Sequence, residues 1–357
     1  MMTTAGSIIR RILPYASIIL LGIAARPSWA QDASGGGSIQ AKNPPTTAAG
    51  AEAAEQGPAH PDTCRIGIYI LSLYDFDCPN NAFTSDFWMW FTYGRDSLDP
   101  LKSAEVTNAK SYTYSNSSTE KKKGLMWGAQ KCKATVRETW DIRDFPFDHQ
   151  VLRIEIEDAD KDTSELIYLP DVAQSKIDPR VTLDGWKISG MRFVRHDARY
   201  NTNYGDPELA ASSTYPGVVA IVELQREGVA LFFKLFTGVY VAFAISMMVF
   251  FFDETEIGTR FSLLVGAMFA AVANKYIVDS FLPMSVGFTL VDGIHVMTFV
   301  YILLSGCISV FVMHYQRKTG AQHEHGALVA RRIDRHAFIT LLLSYIGINA
   351  FYLVRAS

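Results

Sequence analysis

The amino-acid sequence predicts an α+β multidomain membrane protein, a ten-stranded β-sandwich followed by a four-helix transmembrane bundle. Three observations carry this expectation. Residues 64–228 hold short runs in which apolar and polar side chains alternate. Four apolar runs after residue 228 are each long enough to cross about 30 Å of hydrocarbon. The chain opens on a basic, then apolar, then small-residue segment of the kind that directs export.

Arg10 and Arg11 precede an apolar stretch, and Ser28, Trp29 and Ala30 give a small-x-small cleavage site, so residues 1–30 read as a signal peptide, the alternative being a membrane anchor that stays attached. Residues 31–62 are rich in Ala, Gly, Pro, Thr and Gln without apolar periodicity and read as a disordered linker. Residues 63–228 are the β domain and 229–357 the membrane domain. The net charge of −3 over 357 residues gives no basis for a nucleic-acid partner. Cys64, Cys78, Cys132 and Cys307 include no C-x-x-C pair, which argues against zinc. Export permits one disulfide among the first three, and the sequence does not choose it.

In the β domain, "RIGIYILSLYDF" (65–76) and "FTSDFWMWFTY" (83–93) are rich in β-branched and aromatic residues, with "DCPNN" between them as a turn. In the second run Phe87, Met89 and Phe91 share one face. Asp86, Trp88, Trp90 and Thr92 share the other, which its polar members mark as less buried. Two tryptophans there fit a subunit interface or a binding site. In "VLRIEIED" (151–158), Leu152, Ile154 and Ile156 face one side and Arg153, Glu155 and Glu157 the other. The runs "GWKISGMRFV" and "GVVAIVELQRE" alternate likewise. Asp158, Asp160 and Asp162 offer carboxylates to calcium or form a solvated turn; the twelfth loop position is Leu169, so this is no EF-hand.

The apolar spans are 229–252, 261–282, 288–313 and 337–354. Arg317, Lys318, Arg331, Arg332 and Arg335 lie between the third and fourth spans, whereas 283–287 has no Lys or Arg. The positive-inside rule puts the basic segment in the cytoplasm and the β domain outside. Lys275 and Asp279 on the second span, and Asp292 and His295 on the third, are each one turn apart, and charges at membrane depth demand partners. They predict a charge cluster in the outer leaflet. His295 is there for structural pairing or as a proton sensor, because imidazole titrates near neutral pH.

The stretch "TWDIRDFPFDHQVL" (139–152) places Phe145 and Phe147, stiffened by Pro146, between charged neighbours. It is either an ordinary proline turn or a surface that meets apolar and wet surroundings at once.

With an exported β domain and four short-looped spans, this loop resembles that of the pentameric ligand-gated ion channels, the Cys-loop receptor superfamily, in their prokaryotic form. The resemblance covers about residues 63–357. It rests on "DFPFDHQ", the strand pair "IGIYILSLYDFD" and "FTSDFWMWF", "LDGW" at 183–186, and Arg226 just before the first span. It implies that Phe145 and Phe147 dip into the helix tops, that Asp148 pairs with Arg226, and that the turn holding Asp75 and Asp77 also pushes on the helices. Counting back from Pro283, it implies a pore lined by Ser262, Gly266, Phe269, Ala273, Tyr276 and Ser280, an alternating four-and-three spacing that keeps one helix face. Phe269 is then a hydrophobic gate or packs between helices. Asp253, Glu254 and Glu256 below the span favour cations, while Arg260 stands nearer. Trp88 and Trp90 would form one wall of a ligand cleft between subunits. Tyr200, Tyr204 and Tyr215 would close it from the neighbour as an aromatic box suited to amines, or merely pack that interface.

The sequence departs from the family at several places. The paired loop cysteines fall at Glu138 and Leu152, an absence that prokaryotic members share. The expected first-span proline is Gly238, which loosens a helix. A tryptophan-and-proline signature is missing around 101–108. The expected function is a homopentameric ligand- or proton-gated cation channel of a bacterial inner membrane, with its sensor in the periplasm. It needs no cofactor, and calcium enters only as a modulator. The alternative is a membrane-anchored periplasmic solute receptor that does not conduct. An exported enzyme lacks a metal set or nucleophile elbow in the sequence.

Overall fold

The computed structural model describes residues 60–205, 207, 211–253, 256–283, 287–319 and 324–356. The signal peptide and the linker up to residue 59 lie outside them, as does Glu254.

The β domain opens with a long hairpin, β1 (Asp62–Asp77) and β2 (Ala82–Tyr93), turned at 78–81. The short helix α1 (Pro100–Ser103) leads into β3 (Ala104–Val106), and a second long hairpin follows, β4 (Ala109–Lys122) and β5 (Leu125–Arg137). Next come β6 (His149–Asp158), β7 (Leu166–Pro170), β8 (Lys176–Ile177), β9 (Trp186–Arg195), β10 (Ala198–Tyr200), β11 (Ser213–Tyr215) and β12 (Gly217–Arg226). The described residues thus hold twelve strands. The ten expected missed very short strands such as β8 and β10, whose few residues show no period.

One sheet runs β4-β5-β2-β1-β7 with β8 also on β1; a second runs β3-β6-β12-β9; β10 and β11 pair alone. Alternation decides what is inside. Phe87, Met89 and Phe91 of β2 and Leu152, Ile154 and Ile156 of β6 are buried in one apolar core shared by the two larger sheets. Trp88 and Trp90 are half-buried on the other face of β2. The ring of Trp90 lies against β1 at Gly67, where a Cβ would stand 2.1 Å from it. Glu157 departs from the pattern: it belongs to the outward set yet is buried.

Four helices long and apolar enough to cross a membrane follow: α2 (Gly228–Met248, continued by a 3₁₀ turn Val249–Phe251), α3 (Ile257–Asp279), α4 (Leu290–Thr319) and α5 (Glu324–Ala356). The last three extend beyond the apolar runs. α3 starts before Phe261, α4 continues to Thr319, and α5 contains the basic residues 331–335. Charge had set those boundaries in the sequence, but charged residues continue a helix when their side chains reach water or a partner. Arg260 is fully buried and donates to Asp334 of α5 (2.6 Å) and to the Phe252 carbonyl (2.6 Å). The helix α2 runs unbroken through Gly238. This glycine serves close approach, as a Cβ there would meet the Asn274 amide of α3 at 2.8 Å.

Removing one partner of a buried ion pair strands the other charge, whereas replacing both by apolar groups is close to neutral. Asp334→Leu is therefore expected to cost about 3–5 kcal/mol, and Arg260→Met with Asp334→Leu to recover most of it. Thermal unfolding in detergent measures both. A double variant no better than the single would show that the pair does not act as a unit.

Candidate coupling joint and solvent-facing helix

The loop between β5 and β6 is closed at its neck by side chains. Glu138 accepts the Arg153 backbone N–H (2.9 Å), an Arg153 guanidinium N–H (3.0 Å) and its neighbour's N–H at Thr139 (3.1 Å). One turn further in, Gln150 accepts the Asp141 N–H (3.1 Å) and donates to the Asp141 carbonyl (2.8 Å) and to Asp148 (2.5 Å). Arg143 pairs with Asp141 and thereby holds that carboxyl below the ordinary range. Backbone bonds from Phe145 to Ile142 (3.2 Å) and from Phe147 to Asp144 (2.8 Å) shape the tip, which contains a cis Phe145–Pro146 bond.

At the tip, Asp148 and Arg226 form a two-pronged pair, Nε to Oδ1 2.7 Å and Nη2 to Oδ2 3.1 Å, with side chains 1% and 11% exposed. The Arg226 N–H also donates to the Asp148 carbonyl (3.1 Å). The guanidinium lies 3.8 Å over the Trp186 ring and 4.9 Å from that of Phe145. Phe145 is buried against that guanidinium and also borders, with Leu231, Leu235 and Phe281, the cleft at the helix ends. Phe147 reaches the helices, its ring 5.7 Å from Phe232 of α2. Two backbone contacts complete the joint. The Leu290 N–H at the start of α4 donates to the Arg143 carbonyl (2.9 Å). A Cβ at Gly228 would stand 2.0 Å from the Pro146 carbonyl oxygen, so the loop backbone lies directly on the start of α2.

Asp75 and Asp77 flank the same region without a bond to the helices. Asp77 accepts the Asn80 N–H (3.1 Å) and shapes the turn, and Asp75 is exposed at a positive φ of 51°. With Phe76, Cys78, Arg226, Leu231, Leu235 and Phe281 they border a cleft of about 780 Å³. Burial pushes the Cys78 thiol up, so this cysteine is a packing residue and not a reactive one.

On α3 the six residues of the expected pore stripe, Ser262, Gly266, Phe269, Ala273, Tyr276 and Ser280, are all exposed in the single chain. Phe269 is 71% and Tyr276 76% exposed. The opposite face, Leu264, Ala267, Ala271 and Val278, is buried. The exposed band also takes in Val265, Val272 and Ile277. Arg260 is withdrawn from it into the Asp334 pair. Asp253 is exposed, 3.7 Å from Arg331, and Glu256 accepts the Thr259 hydroxyl (3.1 Å). Glu254 lies outside the described residues.

The expected charge cluster forms from three of its four members. Lys275 pairs with Asp279 on its own helix and with Asp292 of α4 at 2.9 Å. His295 is separate and fully buried, Nδ1 2.8 Å from the Val291 carbonyl and Nε2 3.0 Å from Oδ1 of Asn274. The Asn274 amide donates to the Leu235 carbonyl of α2 (2.9 Å). Asn274 was not singled out from the sequence, though an amide within an apolar span is itself a signal.

Tyr200 stands 6.1 Å from Tyr204 and 5.8 Å from Tyr215, ring to ring, on and beside the β10–β11 ribbon. The Tyr200 hydroxyl donates to buried Glu157 (2.8 Å), which also accepts from Thr107 (3.2 Å). Burial raises the Glu157 carboxyl above its ordinary value. Trp88 and Trp90 are on the other large sheet, with the Trp90 indole N–H donating to Asp171 (3.3 Å). The two aromatic groups therefore do not form one site within a chain. The carboxylates proposed for calcium are not gathered. Asp158 is buried and accepts from Ser103 (2.6 Å), Tyr168 (2.8 Å) and two backbone N–H groups, while Asp162 bonds to Ser164. Among the described residues no group of three His, Cys, Asp or Glu could hold a metal ion.

Arg226→Leu would leave Asp148 buried without its guanidinium, with an expected loss of about 3–5 kcal/mol. Trp186 fluorescence reports it directly, because the cation over the indole is gone. Asp148→Asn still presents one acceptor and should cost less. Melting of Arg226→Leu within about 1 kcal/mol of the wild type would mean the pair does not anchor the joint. Neither a scan against protein-family models nor a search of curated proteins gives a match, so the functional reading rests on these residues and distances.

Proposed function

We propose that the chain is one subunit of a homopentameric, ligand- or proton-gated channel for monovalent cations in a bacterial inner membrane, its β domain a periplasmic sandwich. The observation that carries this reading is the joint. A stimulus on the β domain biases the helices only through contacts that differ between two states. Here Asp148, Phe147 and Arg143 meet the end of β12 and the starts of α2 and α4. The basic residues at the far ends of α4 and α5 support the orientation.

The bare face of α3 supports the pore. Five copies around an axis would place rings of Ser262, Gly266, Phe269, Ala273, Tyr276 and Ser280 on a common path, with Phe269 as a gate that closes by dewetting. Asp253 and Glu256 at its lower mouth favour cations, and the buried Arg260 does not oppose them. Adjacent β domains would bring the Trp88–Trp90 face of one subunit to the tyrosines of the next. Three rings above a buried carboxylate suit an organic cation.

Protons enter this reading through His295. Both its ring nitrogens face oxygens that accept, the carbonyl of Val291 and Oδ1 of Asn274, and Asn274 is oriented by its donation to Leu235. A doubly protonated ring satisfies both acceptors.

Ionic current from purified, reconstituted protein tests the proposal, with external pH stepped from about 7.5 to about 4.5 across the imidazole and carboxylate ranges. Phe269→Ala is expected to conduct cations at rest. His295→Gln is expected to lose the part of the pH response that falls in the imidazole range while keeping any response to an amine ligand. No current from either wild type or Phe269→Ala, with pentamers confirmed, would refute the channel and favour a solute receptor that does not conduct.

A further inference from the structure

The loop that carries the joint has a covalent closure in the animal receptors that it resembles. Here the described cysteines are all free, and none belongs to this loop. Its neck is instead held by Glu138 at one end and Arg153 at the other, fifteen residues apart. The two residues also tie the two larger sheets, since Glu138 follows β5 and Arg153 is on β6. We infer that Glu138 and Arg153 are positioning residues that clasp the coupling loop in place of a covalent bridge, and that a proton on Glu138 opens the clasp. The inference rests on the loop being the joint described above, but not on conduction.

The geometry gives the reason. Every partner of the carboxylate is a donor: the N–H groups of Thr139 and Arg153 and the Arg153 guanidinium. Oε1 already holds two donors and Oε2 only one, so a proton settles on the free lone pair of Oε2 and leaves both oxygens as weaker, neutral acceptors. It also removes the charge that draws the guanidinium. Arg153 is half exposed, so it is stable in water once released, and opening carries no buried-charge penalty on that side.

The site is built to take that proton. Glu138 is buried, and burial raises its carboxyl above the ordinary value, against the opposing effect of Arg153. The charged groups facing it are Arg153, which favours the carboxylate, and Glu155, which disfavours it, both on β6. The β1–β2 turn contributes the Asn81 carbonyl and the β3–β4 turn contributes Asn108, neither of which titrates. Because the folded-state value is raised, proton uptake begins above the ordinary glutamate range. The clasp is closed above that window and open below it.

Amide hydrogen exchange on the full-length protein, followed by mass spectrometry from about pH 7 to about pH 4 and corrected for the intrinsic rate, tests this. In the wild type, peptides covering 139–153 are expected to lose roughly tenfold in protection as pH falls through the Glu138 window, the scale of one charge-assisted bond. Peptides of β2 should stay unchanged. Glu138→Gln is expected to exchange fast at every pH with no step, which separates Glu138 from Asp148 in the same segment. Arg153→Gln keeps the backbone bond and should show a smaller step. A wild-type profile without a loop-specific step overturns the inference even if both variants fold poorly, and so does a Glu138→Gln profile that keeps the step. A step without ionic current refutes the channel and leaves the clasp; current with a flat loop profile refutes the clasp alone.

Discussion

The joint depends on the burial of two charges, Asp148 and Arg226. Each alone would be costly in that position, so the pair exists only while the loop, β12 and Trp186 are in place together. Arg226 is the last residue of β12, and α2 begins two residues later. The ion pair therefore fixes, within one short segment, the end of a sheet, the tip of the loop and the start of a span. The Pro146 carbonyl against Gly228 and the Leu290 bond to Arg143 follow from that placement, because a loop held at Asp148 has little other space to occupy. The β domain and the first and third spans are thus mechanically one joint.

Charge also decides which face of α3 is left bare. Its cations are each drawn aside, Arg260 into α5 through Asp334 and Lys275 toward Asp292 of α4. Asn274 is committed to Leu235 and His295. What remains on the far side is a stripe of small, aromatic and hydroxylated side chains flanked by Val265, Val272 and Ile277, and a narrow water path can use that stripe. A helix whose polar groups all had solvent-facing partners would have no such face.

Much of this was legible in the sequence, for reasons that also explain the exceptions. Alternation located β2, β6, β9 and β12 and assigned Phe87, Met89 and Phe91 inward, because a half-buried strand has a strict period. Span lengths located the four helices. Their ends were not legible, because Arg260 read as a boundary until Asp334, seventy-four residues away, supplied its partner. The joint was legible as a motif, but the stacking of Arg226 on Trp186 and Phe145 was not, because Trp186 and Arg226 come from β9 and β12, far from the loop in sequence. Glu157 was lost because it belongs to an outward-facing pattern and is buried by Tyr200, which arrives from β10. Glu138 follows β5 in the parity of buried Cys132, Ala134 and Val136, and a carboxylate is tolerated there because Arg153 of β6 supplies its partner.

The same comparison bears on how α3 would move if it gates a pore. Polar ties hold it near its two ends, Arg260 to α5 below and Asn274, Lys275 and His295 to α2 and α4 above. Between them it packs through Leu264, Ala267 and Ala271, side chains that are mostly small and make no hydrogen bonds. Small apolar contacts let a helix turn about its axis at little cost, whereas a buried hydrogen bond must break to let it slide. Gly238 points to the same end of the helix, since its missing Cβ is what lets Asn274 approach α2. A push delivered through Phe147 and the start of α2 would then act first on the upper tie, and the lower ion pair would serve as the pivot.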